Sequence, residues 1–194
     1  MTSGDDSARS GPVLVLTPER LARPAPPRPT PPPRARCAYR LRVQLMGIEP
    51  AIWRTIEVLG ATTLHRLHQI IQAAMGWQDY HLYCFHVGAD EYGDPETDEE
   101  GMFRDARRAR LCDALGQPDS ACGYVYDFGD HWRHVLCLEA ILAPPAAGTL
   151  PRCLAGARAC PPEDVGGVPG FAAFLRALRD RRHPEHHAHL EWVG

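Results

Sequence analysis

The segment from Tyr39 to Gly76, YRLRVQLMGIEPAIWRTIEVLGATTLHRLHQIIQAAMG, changes its hydrophobic period once, and that change decides the fold class. Tyr39, Leu41, Val43 and Leu45 alternate with Arg40, Arg42 and Gln44, the period-two pattern of a half-buried strand. Gly47 to Pro50 has turn chemistry, and Ile52 to Leu59 reads as a second strand, so the two form a hairpin. From Thr62 or Thr63, either of which can cap a helix, the period becomes helical. Leu64, Leu67, Ile70, Ile71, Ala74 and Met75 make the apolar stripe, and Gly76 stops it. His65 and His68 fall off this stripe and read as solvated helix residues. A third strand follows over His81 to Val87. Hairpin, helix and strand in that order predict an α+β domain with a β-grasp-like opening.

Further along, Asp90 to Glu100 holds seven carboxylates and no base, which reads as a solvated, mobile loop that could collect a cation. A short helix is expected over Leu111 to Leu115. Gly123 to Phe128 and Trp132 to Leu138 form a second strand pair around Gly129-Asp130. A Cys- and Pro-rich loop then leads to C-terminal helices, one carrying Phe171, Phe174, Leu175 and Leu178, the last starting near Pro184 with Leu190 and Trp192.

The first 36 residues have a different composition. They hold Pro24, Pro26, Pro27, Pro29 and Pro31 to Pro33, and a charge of +3 from six arginines against Asp5, Asp6 and Glu19. Such a segment lacks the apolar surface to order itself and reads as a disordered Pro/Arg-rich arm, residues 1–36, ahead of a folded domain, 37–194. The arm's arginines could meet nucleic acid, although the net charge of −3 gives the whole chain no such bias. No stretch reaches the roughly 18 to 20 apolar residues of a membrane span. MTSGDDSARSGP has no basic flank before an apolar run, and seven scattered cysteines suit reduced thiols, so a cytoplasmic protein is expected. All 21 basic residues are arginine; without lysine there is no Schiff base and no phosphate-cradling P-loop.

The chemistry-bearing residues gather in two places. Tyr126 to His134, YDFGDHWRH, puts Asp127, Asp130 and His134 around Trp132. Its DFG is no kinase element, because that machinery needs a strand lysine and an HRD loop with an asparagine, all missing here. Arg152 to Asp164, RCLAGARACPPED, brings Cys153, Cys160, Glu163 and Asp164. Six residues lie between the two cysteines, more than the two to four of common zinc knuckles, so a zinc site would need His134, His81, His86 or a carboxylate as well. The acidic turn at Glu163-Asp164 could hold Arg152 or Arg158. His183 and His187 are four apart, but the HPEHHAH tract reads as surface. Serine occurs at Ser3, Ser7, Ser10 and Ser120 with no GxSxG, and strand parity puts His134 and Cys137 on opposite faces, so no nucleophile–base pair is visible. The reading is a binding or interaction domain for a protein or small ligand, with Asp127, Asp130, Trp132 and His134 facing the Arg152–Asp164 loop, and His81 and Arg152 as further ligand contacts. The alternative is a metal-dependent hydrolase using Asp127, Asp130, His134 and Glu163 or Asp164.

Five blocks, YRLRVQLMGIEPAIWRTIEV, TLHRLHQIIQAAMGWQDYHLYCFHVG, YDFGDHWRH, RCLAGARACPPED and HPEHHAHLEWVG, follow one another as in a known family. Residues 37–194 resemble the Ri-plasmid third-open-reading-frame family, also labelled the TnpR passenger of an insertion element. The resemblance implies a compact α+β domain of bacteria and archaea, often near mobile elements. Val165 stands where the family has a third cysteine after PPED, which removes a three-thiolate set. Recombinase chemistry does not follow from the label: a serine resolvase needs its serine in an ordered N-terminal domain, where this chain has none, and no HxxR is present.

Overall fold

Alternation along the opening segment becomes two paired strands. β1 (Ala38–Leu45) and β2 (Ile52–Leu59) pair antiparallel, Leu45 opposite Ile52 and Ala38 opposite Leu59. The computed structural model describes residues 33–98, 101–144, 146 and 148–193. The expected arm falls largely outside them. Arg34–Arg36, grouped with the arm by composition, form a short turn tied to the hairpin by Gly60 N–H to Cys37 O and Ala61 N–H to Ala35 O.

Helix α1 (Leu64–Met75) starts where Thr63 Oγ1 accepts from the Arg66 N–H, at 3.2 Å, and ends at Gly76 in the left-handed region at φ 90°. The remaining elements are β3 (Tyr83–Val87), β4 (Asp90–Gly93), β5 (Arg104–Asp105), α2 (Leu111–Ala114), β6 (Ala121–Tyr126), β7 (Trp132–Leu142), β8 (Arg152–Ala157), α3 (Gly167–Arg179) and α4 (His186–Val193). The strands form one eight-stranded sheet in the order β5-β4-β3-β6-β7-β1-β2-β8, antiparallel except for β4 with β5. The domain is α+β as expected. Its opening is β-grasp-like in element order, while β6 and β7 lie between β3 and β1.

One sheet face forms the core. Leu41, Val43 and Leu45 of β1, Ile52 and Ile56 of β2, Phe85, Tyr124, Trp132 and Leu136 share one buried cluster with Leu64, Leu67, Ile71 and Met75 of α1 and Phe171 and Phe174 of α3. Each fully buried aliphatic side chain of this kind contributes about 1.5–3 kcal/mol. On the edge strand side, Glu57 is buried and charged, held by Arg40 at 2.8 Å and Arg152 at 2.6 Å. Burial alone would raise its carboxyl, but these two guanidinium partners leave it below the usual range.

Four expectations change. Arg152–Ala157 is a strand, not a loop, because β2 offers it a free edge. Asp90–Gly93 is a strand rather than a mobile segment; Asp94 then caps a short turn and binds Arg107 at 2.7 Å, and residues 99 and 100 lie outside the described part. His68 is buried, not solvated: it stacks on Tyr83 with ring centroids 3.7 Å apart, and its nitrogens meet Tyr124 Oη at 2.7 Å and Asp79 Oδ1 at 2.6 Å. His65 is half-buried against Tyr83 Oη at 2.8 Å. In the C-terminal tract, His187 is exposed, but His186 is buried with Nδ1 at 2.9 Å from Ala177 O.

Candidate functional site

Three connections meet at the end of the sheet where β3 begins and β6 turns into β7. The first is the segment after α1. Trp77 stacks on Tyr126, centroids 5.1 Å apart, and donates from Nε1 to Pro161 O at 2.9 Å. Asp79, at φ 61°, is fixed by His68 and by its own N–H to Gln72 Oε1. β3 starts at Tyr83, so His81 precedes the strand and turns toward the other two connections.

The second is the β6–β7 turn. Asp127 and His131 both adopt left-handed backbone angles, φ 57° and 56°, which suit the short side chain of Asp. Asp127 Oδ1 accepts from the N–H groups of Gly129 and Asp130 at 2.9 and 3.2 Å, an Asx-type turn that leaves Oδ2 pointing to His81 Nε2 at 3.6 Å.

The third is the loop after β8. Asp164 Oδ1 lies 3.1 Å and Glu163 Oε2 3.9 Å from the same His81 nitrogen. Glu163 Oε1 accepts from the Gln78 N–H at 2.8 Å and from Tyr126 Oη at 3.1 Å. Burial, then Glu163, pushes the Tyr126 hydroxyl well above its ordinary value, so it stays protonated. Asp130 Oδ2 accepts from the Gly166 N–H at 3.0 Å and ties this loop to the turn.

His81 Nε2, an Asp127 oxygen and an Asp164 oxygen thus all lie within 4.8 Å of one another. His81 Nε2 is buried and makes no well-aligned hydrogen bond, although Asp164 is within reach by distance; the angle, not the separation, is unsuitable. Among the described residues no arginine pairs with Asp127, Glu163 or Asp164. A nitrogen with surrounding carboxylate oxygens is a donor set for a divalent cation.

Of the residues read as candidates, Asp127, Glu163, Asp164 and His81 come together. Asp130 supports the loop instead. Trp132 is fully buried. His134 lies in the core with Nδ1 donating to Trp132 O at 3.0 Å, and edge-on to Trp77 at 5.5 Å. Cys153 is exposed, Cys160 Sγ sits 3.1 Å from Met75 Sδ, and the two form no ligand group with His134 among the described residues. Burial pushes the Cys160 thiol up to about 11. Arg152 is taken by Glu57, and Arg158 donates to Pro50 O, so the acidic turn holds neither. Tyr126 and Trp77 frame the site without a signal beyond their apolar context.

Fold and cluster together define a small α+β domain with an imidazole–carboxylate site at one end of its sheet. Residues 37–194 match the family described as plasmid pRiA4b ORF-3-like protein, and the chain belongs to that family. An uncharacterized protein of Sinorhizobium fredii, y4hQ, is 41% identical over 157 residues, covering 80% of each chain. The crystal structure of MM3350 of Methanosarcina mazei, a protein of unknown function, is similar with a TM-score of 0.72 and 36% identity, covering 81% of this chain and 90% of that one.

Proposed function

We propose that this protein is a cation-dependent binding domain, in which His81, Asp127 and Asp164, with Glu163 beside them, hold a divalent metal ion whose remaining positions receive the ligand. The observation that carries this reading is the convergence of an imidazole nitrogen and carboxylate oxygens from three connections within 4.8 Å, with no arginine among the described residues to neutralise them. Its donors come from three separate stretches of the chain, at HLYCF, YDFGD and PPED. Oxygen-rich sites with one imidazole suit Mn2+, Fe2+ or Zn2+. In a hydrolytic use of the ion, water activation falls to Glu163, since Asp164 is a ligand and Asp130 and His134 are engaged elsewhere. A role beside plasmids is supported by the family's description, and a reducing cytoplasm by seven free cysteines.

The test is a Mn2+ titration of untagged, chelator-stripped, full-length protein, followed by the electron paramagnetic resonance of the free ion. One ion per chain is expected. His81→Ala and Asp127→Asn should each weaken uptake by at least about tenfold, the lower range for disturbing even an outer-shell partner. Asn keeps the acceptor for Gly129 and Asp130 and tolerates the left-handed angle, so the turn survives. Absence of uptake, or uptake unchanged in His81→Ala, would remove the reading.

A further inference from the structure

We infer that the sheet carries a second metal site of softer chemistry, in which Cys84 Sγ, His86 Nδ1 and Glu91 Oε1 hold a divalent ion of the zinc class. Residues 83 and 85 of β3 enter the core, so strand parity sends Cys84 and His86 together to the opposite face. Glu91 of β4 lies directly across from His86 in the β3–β4 register. Its Oε1 is 3.2 Å from His86 Nδ1, and all three donor atoms lie within 4.8 Å of one another. A tetrahedral ion with bonds of about 2.0–2.3 Å separates its ligand atoms by roughly 3.3–3.7 Å. The imidazole–carboxylate pair lies close to that spacing, and the thiol, within 4.8 Å of both, has to move inward to complete the set.

Three other acids of the run have partners of their own. Asp90 is paired with Arg104 at 2.8 Å, Asp94 with Arg107 at 2.7 Å, and Asp98 accepts from the Phe103 N–H. Glu91 instead turns to an imidazole beside a thiol. On binding, the ion displaces the Cys84 proton to solvent and becomes bonded to thiolate, neutral imidazole and carboxylate. Three protein ligands leave the fourth position of a tetrahedral zinc ion for water or an external group. This site is independent of the one at His81, and its thiolate separates the two by metal preference.

Cobalt titration of the full-length chain, in a buffer whose reductant carries no thiol, tests it. A near-ultraviolet thiolate-to-cobalt charge-transfer band should grow to saturation at one equivalent and be displaced by Zn2+. Cys84→Ser should abolish the band, and His86→Ala and Glu91→Gln should each lower cobalt affinity by about tenfold or more. Asp127→Asn should leave the band in place, whatever the fate of the Mn2+ site. Lack of the band, or a band that survives Cys84→Ser, overturns the proposal. His86 is exposed and Glu91 half-buried, and neither belongs to the core cluster, so their variants should keep the fold; unchanged cobalt affinity in His86→Ala overturns it as well, even if Cys84→Ser fails to fold.

Discussion

His134 illustrates how one residue's setting changes its chemistry. In sequence it stands among two carboxylates and another imidazole, and it reads as a ligand. Strand parity held the other answer: Trp132, His134, Leu136 and Leu138 alternate as one buried face. Burial lowers its pKa to about 4, and the neutral ring's Nδ1–H is used by Trp132 O. An unfolded histidine titrates near 6.5, so the folded value is depressed. Stability is therefore full above about pH 6.5 and falls as the pH drops toward 4, because the unfolded chain takes up a proton that the folded chain refuses. The loss should approach about 3 kcal/mol at pH 4. His134→Leu should flatten much of that slope, measured by urea unfolding at pH 7 and pH 4.5. Some slope will persist, since His68 is also held low by burial, against the pull of Asp79. Equal acid sensitivity in wild type and variant would contradict this assignment. By contrast, Asp127, Glu163, Asp164 and His81 were legible as chemistry-bearing residues; what sequence could not supply was their grouping, which depends on three separate connections.

At the scale of elements, the site depends on how the loop after β8 docks on the β6–β7 turn. Gly167 opens α3 at φ 65°, and a Cβ there would lie 2.6 Å from the Asp130 carbonyl oxygen. Because that contact is with backbone, Gly167→Ala must move either the turn bearing Asp127 or the loop bearing Glu163 and Asp164. The substitution should cost at least about 1 kcal/mol, from the left-handed angle and the clash. It should also weaken Mn2+ uptake although no ligand is touched; a variant with unaltered uptake would mean that the docking does not set the site. The elements differ in how openly the sequence declares them. β1 and α1 announce themselves through clean periodicity, α1 also through a Thr63–Gly76 pair of caps. β8, RCLAGA, is short, small-residued and exposed along nearly its whole length, so its strand character comes from the edge that β2 offers. β4 was hidden by its acidic side chains, which pair outward while the backbone pairs with β3. On α1, positions 64, 67, 71 and 75 define a stripe that also covers 68 and 72; His68 and Gln72 are buried there because Tyr124 and the Asp79 segment satisfy their polar atoms.

For the molecule as a whole, a cation at His81, Asp127 and Asp164 would join segments that the chain keeps far apart. Each of these connections is a loop, the part of a fold that opens most readily. An ion that binds the folded state and not the unfolded one stabilises by mass action, about 2.7 kcal/mol at a free concentration one hundred times its Kd. For a domain of this size that corresponds to a rise in Tm of roughly 5–10 °C. Mn2+ should therefore raise the Tm of the chelator-stripped wild type by that amount and leave Asp127→Asn near its metal-free value. Hydrogen exchange adds the spatial part of the argument. If one ion ties the three connections, amides at 79–82, 127–131 and 163–166 should slow together, with the same dependence on Mn2+. Protection confined to a single segment would mean that the ion sits on one loop, and that the convergence of the others is packing without coordination.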